Sequence, residues 1–85
     1  MRLWLVERSF DTRNTVTISY ASTDGEQVYR MQATLDRLGR NPATAAVDRD
    51  PGDDRVELVS DEERKQQYAA EARRMAADHD PDEEV

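Results

Sequence analysis

The chain has 85 residues, which is enough for one domain with a small hydrophobic core. It contains no cysteine, so a disulfide framework and a thiolate metal site are excluded. Hydrophobic and charged residues each make up 36% of the chain, and the formal net charge of −7 disfavours binding to polyanions.

The charged residues are unusual in type and in distribution. Eleven arginines accompany one lysine, Lys65, and aspartate outnumbers glutamate by eleven to eight. Residues 1–40 carry six basic and five acidic residues, whereas residues 41–85 carry six basic and fourteen acidic ones. Such a composition is typical of adaptation to high salt, since a Debye length of about 3 Å at molar salt screens self-repulsion. A GC-rich genome is the alternative explanation, because Arg, Ala and Asp have GC-rich codons.

An apolar run near the N-terminus is too short for a targeting or membrane segment. It covers residues 3–6 and ends at Glu7 and Arg8. A secretory signal needs a longer apolar region, and a membrane-spanning helix needs about 20 residues. We therefore expect a cytoplasmic protein that does not contact a membrane.

Two strands are predicted at the start of the chain, at residues 2–10 and 15–21. The second alternates between an apolar face and a hydroxyl-bearing face, a period of two that is typical of a half-buried strand. A loop at residues 12–14 would place Asn14 in the left-handed region that asparagine tolerates.

The expected register of this hairpin pairs Phe10 with Val16 and Val6 with Tyr20. It puts six side chains on the apolar face: Trp4, Val6, Phe10, Val16, Ile18 and Tyr20. Leu3 and Leu5 then fall on the opposite face of the sheet, so we expect the first strand to be covered on both sides.

Residues 23–38 are compatible with two structures. As a hairpin, Asp24-Gly25 is a strong two-residue turn signal, and pairing Tyr20 with Tyr29 matches the polarity of every pair that follows. As a helix, the segment has a capping box, apolar residues at a 3-4-3 spacing and Gly39 as a stop signal. The hairpin is favoured, followed by a short helical turn over about residues 33–38.

The second half of the chain indicates short extended segments and then a helix. Residues 43–48 and 55–59 are predicted to be extended, with a turn at residues 50–54 between them. Residues 61–78 lack Gly, Pro and β-branched residues, which predicts a helix capped by Ser60. Its predicted apolar stripe is Tyr68, Ala72, Met75 and Ala76.

These elements together predict an α+β fold. An antiparallel β-meander of three or four strands would pack against the C-terminal helix. Residues 1–79 would form a single domain, and residues 80–85 a disordered acidic tail.

The sequence offers little support for catalysis or metal binding. His79 is the only histidine, and a cation at the end of a helix is its simplest role. The aspartates of residues 48–54 resemble part of a calcium loop, but the positions that need Gly and Glu hold Asp53 and Val59. No glycine-rich phosphate loop is present. We expect no enzymatic activity, no bound metal and no cofactor.

Two binding hypotheses follow. The first is a protein-binding module, in which Leu3 and Leu5 contact another protein or a second copy of the chain if the second sheet face is uncovered in the monomer. The alternative is a nucleic-acid-binding accessory protein, in which arginines of the first half contact phosphates while Trp4, Tyr20 and Tyr29 stack on bases. Its candidate residues are Arg8, Arg13, Arg30, Arg37 and Arg40.

Four segments carry a resemblance: RLWLVER at the start, YASTDGE, TAAVD, and YAAEARRMAADHDPDEEV at the end. Through them the chain resembles small acidic proteins of halophilic archaea that belong to an uncharacterised family. The resemblance implies residence in the cytoplasm at high salt. It implies no activity and no catalytic residues.

Overall fold

The computed structural model of the protein describes residues 1–11 and 14–85. Its elements are β1 (Arg2–Phe10), β2 (Thr15–Ala21), β3 (Gln27–Thr34), α1 (Leu35–Arg40), β4 (Ala46–Asp48), β5 (Val56–Leu58) and α2 (Glu62–Asp78). The strands form one curled antiparallel sheet in the order β4-β1-β2-β3-β5. The predicted α+β meander with a C-terminal helix is confirmed. Its sheet has five strands because the short strands β4 and β5 extend the two edges.

The hairpin of β2 and β3 confirms the favoured interpretation of residues 23–38. Tyr20 pairs with Tyr29 and Ile18 pairs with Met31, in the predicted register. The short helix that was expected next is α1, shifted slightly toward the C-terminus. Strand pairing prevailed over the helical capping signals because the alternation of β3 matches that of β2 at every position.

The turn between β2 and β3 differs from the predicted two-residue turn. The Gly25 N–H donates to the Ser22 carbonyl at 2.9 Å, and only Gly25 of the turn has a positive φ, 73°. The Asp24 carboxylate accepts from the Ser22 hydroxyl at 2.5 Å and from the Glu26 N–H at 3.0 Å. These two hydrogen bonds lower the pKa of Asp24. A type I′ turn needs two residues with positive φ, and Asp24 instead stabilises a different turn.

A β-bulge in β1 changes the predicted faces of the first strand. Phe10 pairs with Val16 as expected, but the register shifts between Leu5 and Glu7, so that Leu5 rather than Val6 pairs with Tyr20. Because the bulge inserts one extra residue, every side chain before it points to the opposite side of the sheet from the side predicted for a regular strand. Trp4 therefore lies on the other side of the sheet from Tyr20, which corrects the expected common face.

The core lies on both sides of the sheet. On the helix face, Trp4, Ala21 and Val28 are buried by side chains of α2. On the opposite face, Val16, Ile18 and Tyr20 are buried with Leu3 and Tyr29. Helix α1, the segment after it and the two edge strands cover this opposite face with Leu38, Ala43, Val47 and Val56.

Helix α2 is capped one residue later than expected. The Asp61 carboxylate accepts from the N–H groups of Glu63 and Arg64, so Asp61 rather than Ser60 is the N-cap. An ionised oxygen is favoured over a hydroxyl near the positive end of a helix. The buried residues are Tyr68, Ala69 and Ala72, with Met75 half-buried, whereas Ala76 of the predicted stripe is exposed. Neither helix of the described chain is long and apolar enough to cross a membrane.

The C-terminal segment is not detached in the structure. Residues 80–85 were expected to form a disordered tail, but Glu84 forms an antiparallel bridge with Thr44. A turn beginning at Asp80 reverses the chain after α2, and its i+1 position is Pro81, a favoured place for proline. The unpaired edge of residues 43–46 offers hydrogen-bonding groups that this segment satisfies.

Candidate functional site

An apolar cleft opens on the opposite face, where the ends of β1 and β2 meet α1. Its volume is about 290 Å³. The lining residues come from β1, β2, α1, the following loop and the C-terminus: Arg8, Phe10, Val16, Ile18, Leu35, Leu38, Gly39, Pro42, Ala43 and Val85. We call this site the Phe10 cleft. Its volume is close to the lower limit of about 300 Å³ for small-molecule pockets, so it suits one or two side chains.

Strand pairing and the α1 cap together build the Phe10 cleft. Arg8 pairs with Ile18 and Phe10 with Val16, so these four side chains project from the same face. The Thr34 hydroxyl accepts from the Arg37 N–H at 3.2 Å and thereby starts α1. Leu35 and Leu38 of α1 are three positions apart and line the opposite wall.

Two apolar side chains of the Phe10 cleft are exposed to solvent. Phe10 is 70% exposed and Leu35 is 43% exposed. Burying a whole large apolar side chain stabilises by about 1.5–3 kcal/mol, so this exposure leaves a sizeable free energy unused in the free chain. Leu58 is exposed as well, at 77%, but it lies on the edge strand β5 and lines a different, smaller pocket of about 160 Å³.

Arg8 is the charged side chain that lines the Phe10 cleft. It makes no ion pair with any residue that the structure describes. Burial raises the pKa of Tyr20, which donates a hydrogen bond to the Thr44 carbonyl at 3.1 Å, and the charge of Arg8 opposes this rise. A guanidinium without an anionic partner beside an apolar cleft is available to a carboxylate.

A second group of charged residues surrounds Tyr29, away from the Phe10 cleft. The Arg49 guanidinium lies 4.4 Å from the ring centre, and that of Arg55 lies 5.7 Å from it. Arg49 also donates to the Tyr29 hydroxyl at 3.1 Å, and Arg55 is paired with Asp53. These arginines are held by neighbours in the fold, and their role is to cover the edge of the core.

A family model described as Family of unknown function (DUF7967) matches residues 1–85. The chain belongs to this family. No curated protein and no solved structure gives a significant match to it.

In this DUF7967 chain, Leu3 and Leu5 do not form an open second face. Leu3 is fully buried and Leu5 is half-buried, both within the cluster of the opposite face. The bulge in β1 and the covering segment after α1 account for this correction. Leu3 and Leu5 therefore do not offer an open surface to a partner in this structure.

The arginines that were grouped in the sequence separate in the DUF7967 structure. Arg8 lines the Phe10 cleft, and Arg37 and Arg40 are exposed on α1 beside it. Arg30 lies on the helix face, where it pairs with Glu57 at 3.2 Å and contacts the Tyr68 hydroxyl. Arg13 lies outside the described residues.

The aromatic residues of the nucleic-acid hypothesis are part of the core. Trp4, Tyr20 and Tyr29 are exposed by 7%, 1% and 5% respectively. Base stacking needs an accessible ring face, which these side chains do not offer in this conformation.

Sequence reasoning did not identify Phe10 and Leu35 as site residues of this DUF7967 chain. The alternation of β1 placed Phe10 on an apolar face, and that face was expected to be buried along the whole strand, including its last residue, Phe10. A signal was available, since Phe10 is the last residue before a polar loop, where few elements remain to cover it. Within the described part of the chain, no cluster of three or more His, Asp or Glu residues could hold a metal ion.

Proposed function

We propose that the protein is a non-enzymatic protein-binding module and that the Phe10 cleft is its docking site. The observation that carries this proposal is the 70% exposure of Phe10 at the edge of an apolar cleft of about 290 Å³. An apolar side chain of the partner enters the cleft, and a neighbouring carboxylate of the partner pairs with Arg8.

Burial of apolar surface supplies most of the affinity in this proposal. Covering the exposed parts of Phe10 and Leu35 contributes about 2–3 kcal/mol, at roughly 25 cal/mol per Å² of apolar surface. An ion pair at an exposed arginine contributes about 0–1 kcal/mol. Arg8 therefore orients the partner and selects against basic partners more than it raises affinity.

Charge complementarity supports an acidic partner segment. Three arginines without ion pairs among the described residues lie at or beside the cleft: Arg8, Arg37 and Arg40. The remainder of the chain is strongly acidic, with a net charge of −7 for the whole protein. A basic partner would be attracted to residues 41–85 instead, so the cleft selects for carboxylates.

The proposed setting is the cytoplasm of a cell with high internal salt. Its support is compositional: eleven arginines, one lysine and nineteen acidic residues in 85 positions. Molar salt weakens the contribution of Arg8 and leaves apolar burial in place or strengthens it. Such a setting favours docking through an apolar cleft over docking through charge alone.

Site-specific photocrosslinking tests the docking site. A benzoylphenylalanine at position 10 is expected to capture one protein partner in native cells, and the same group at position 58 is the control. Position 58 is equally exposed but lies outside the Phe10 cleft. The peptide captured at position 10 should contain an apolar residue flanked by Asp or Glu.

Binding measurements with the purified partner complete the test. Phe10→Asp should weaken binding by about 30- to 100-fold, the equivalent of 2–3 kcal/mol, and Arg8→Glu by about 3- to 10-fold. Leu58→Asp should change it less than twofold. Equal effects at positions 10 and 58 would contradict the proposal. Capture of RNA or DNA at position 10 would replace it with the nucleic-acid alternative.

A further inference from the structure

The C-terminal segment, residues 81–85, adds a short strand to the sheet beside residues 43–46. The Ala45 N–H donates to the Glu83 carbonyl at 2.8 Å, and the Val85 N–H donates to the Ala43 carbonyl at 2.9 Å. On its other side, the Ala45 carbonyl accepts from the Leu5 N–H at 2.9 Å. Residues 43–46 thus lie between β1 and the C-terminal segment, as a strand lies between two neighbours.

The C-terminal segment has the chemistry that the Phe10 cleft favours. Asp82, Glu83 and Glu84 are exposed, whereas Val85 is half-buried and lines the cleft. Val85 also packs against the cluster of Trp4 and Ala72. An acidic extended segment that contributes one wall of the cleft is therefore already paired with residues 43–46 in the free protein.

We propose that the C-terminal segment is a displaceable occupant of the binding site. The partner binds as an extended acidic segment that replaces it, pairs its backbone with residues 43–46 and places an apolar side chain in the Phe10 cleft. This inference rests on the proposed function and adds the mode of recognition, β-strand addition, to it.

The C-terminal segment is held weakly enough beside residues 43–46 for a partner strand to replace it. Few apolar groups hold the segment, since only Pro81 and Val85 of residues 81–85 are half-buried and the other three are exposed. Its hydrogen bonds, however, satisfy N–H groups of Ala45 and Ala46, two residues that are buried. Leaving these groups unpaired is costly, so a second strand must take the place of the first.

A reversible disulfide provides the test. Thr44 and Glu84 form a non-hydrogen-bonded antiparallel pair, flanked by the two bonds of Ala45 and Val85. The Cα atoms of such a pair are about 4.5 Å apart, which a disulfide accommodates. Because the chain has no cysteine, Thr44→Cys with Glu84→Cys gives one bond, which locks the segment when oxidised and frees it when reduced.

The probe is a synthetic peptide with the sequence of residues 78–85, labelled with fluorescein at its N-terminus. Fluorescence polarisation in molar KCl should show at least tenfold tighter binding to the reduced double variant than to its oxidised form. Circular dichroism of both forms checks that the fold is retained. A tethered segment has an effective concentration in the range of about 1–10 mM, so the labelled peptide is kept at trace concentration and the protein is titrated into the millimolar range.

Pro81→Gly offers an independent variant that leaves the cleft and the edge unchanged. It loosens the turn before the segment and should strengthen peptide binding about two- to fivefold. Equal binding to the oxidised and reduced forms would overturn the exchange. So would the absence of binding to the reduced form and to Pro81→Gly at the highest protein concentration.

Failure of this inference and failure of the proposed function give different results. In the reduced double variant, adding Phe10→Asp should lower peptide binding about tenfold if the cleft receives the apolar side chain. Dependence on the disulfide without dependence on Phe10 would support strand exchange and contradict the cleft. Dependence on Phe10 without dependence on the disulfide would support the cleft and contradict exchange.

Discussion

Gly25 brings the turn between β2 and β3 into direct contact with helix α2. A Cβ atom added at this position would lie 2.0 Å from the Lys65 carbonyl oxygen and 3.0 Å from the Ala69 nitrogen. Its φ of 73° is also unfavourable for residues with a side chain. The Asp24 carboxylate supports this backbone through its hydrogen bonds to Ser22 and Glu26. One glycine therefore sets how closely the helix approaches the sheet.

Substitution of Gly25 is predicted to be severe. Gly25→Ala should lower the free energy of unfolding by about 2–4 kcal/mol, because the left-handed backbone is strained and the new methyl group displaces α2. Gly52→Ala is the matched control, since nothing lies within 4 Å of its added Cβ atom. The control should stay within about 0.5 kcal/mol of the parent. Urea denaturation measures both, and equal values would refute the contact.

At the scale of elements, a β-bulge and a helix cap determine which side chains come into contact. Because of the bulge in β1, Leu3 and Phe10 lie on the opposite face of the sheet and Trp4 lies on the helix face. The Asp61 cap fixes where α2 begins. From that start, Tyr68 and Ala72, four positions apart, both face the sheet. Strand β1 and helix α2 thus have their packing faces set by single residues.

The cap of α2 gives a prediction with a neighbouring control. Asp61→Ala should destabilise the protein by about 1 kcal/mol, which corresponds to a fall of about 4–8 °C in melting temperature for a domain of this size. Ser60→Ala should change the melting temperature by less than about 2 °C, because Ser60 is exposed and does not cap the helix. Scanning calorimetry of both variants checks it. A larger effect at Ser60 would support the sequence-based assignment of the cap instead.

At the scale of the whole molecule, the fold carries many acidic residues on a small surface. Several ion pairs are exposed, such as Arg2 with Asp48 and Arg74 with Glu71, so each of these contributes little. Asp54, Asp78 and Asp80 are exposed and have no ion pair among the described residues. A net charge of −7 then destabilises the compact state unless salt screens it.

Stability is therefore predicted to rise with salt. The melting temperature should increase by about 5–10 °C between 0.1 M and 2 M KCl, if screening returns roughly 1–2 kcal/mol. Replacing Asp54, Asp78 and Asp80 with asparagine should reduce this increase by about half. A melting temperature that does not depend on KCl in the parent chain would contradict both the prediction and the proposed high-salt setting.

The sequence by itself determined the class of fold and the pairing of β2 with both β1 and β3. The alternation of β2 and β3 is strong because apolar side chains on one face of each strand are interleaved with mostly polar ones on the other, which predicts the register of Tyr20 with Tyr29. The left-handed conformation of Asn14, with φ of 66°, was predicted from its place in the loop. The helical content of residues 62–78 followed from residue types alone.

Only the tertiary structure decided which surfaces are open. The bulge at Val6 leaves no signature in the pattern of a strand that is apolar on both faces, so the sequence placed Leu3 and Leu5 on the other face from Tyr20, whereas they pack in the same cluster as Tyr20. The exposure of Phe10 and Leu35 depends on how far α1 and the C-terminal segment extend over the sheet. The local sequence pattern indicates which residues are apolar, whereas contacts between segments distant in the chain determine which of these residues are buried.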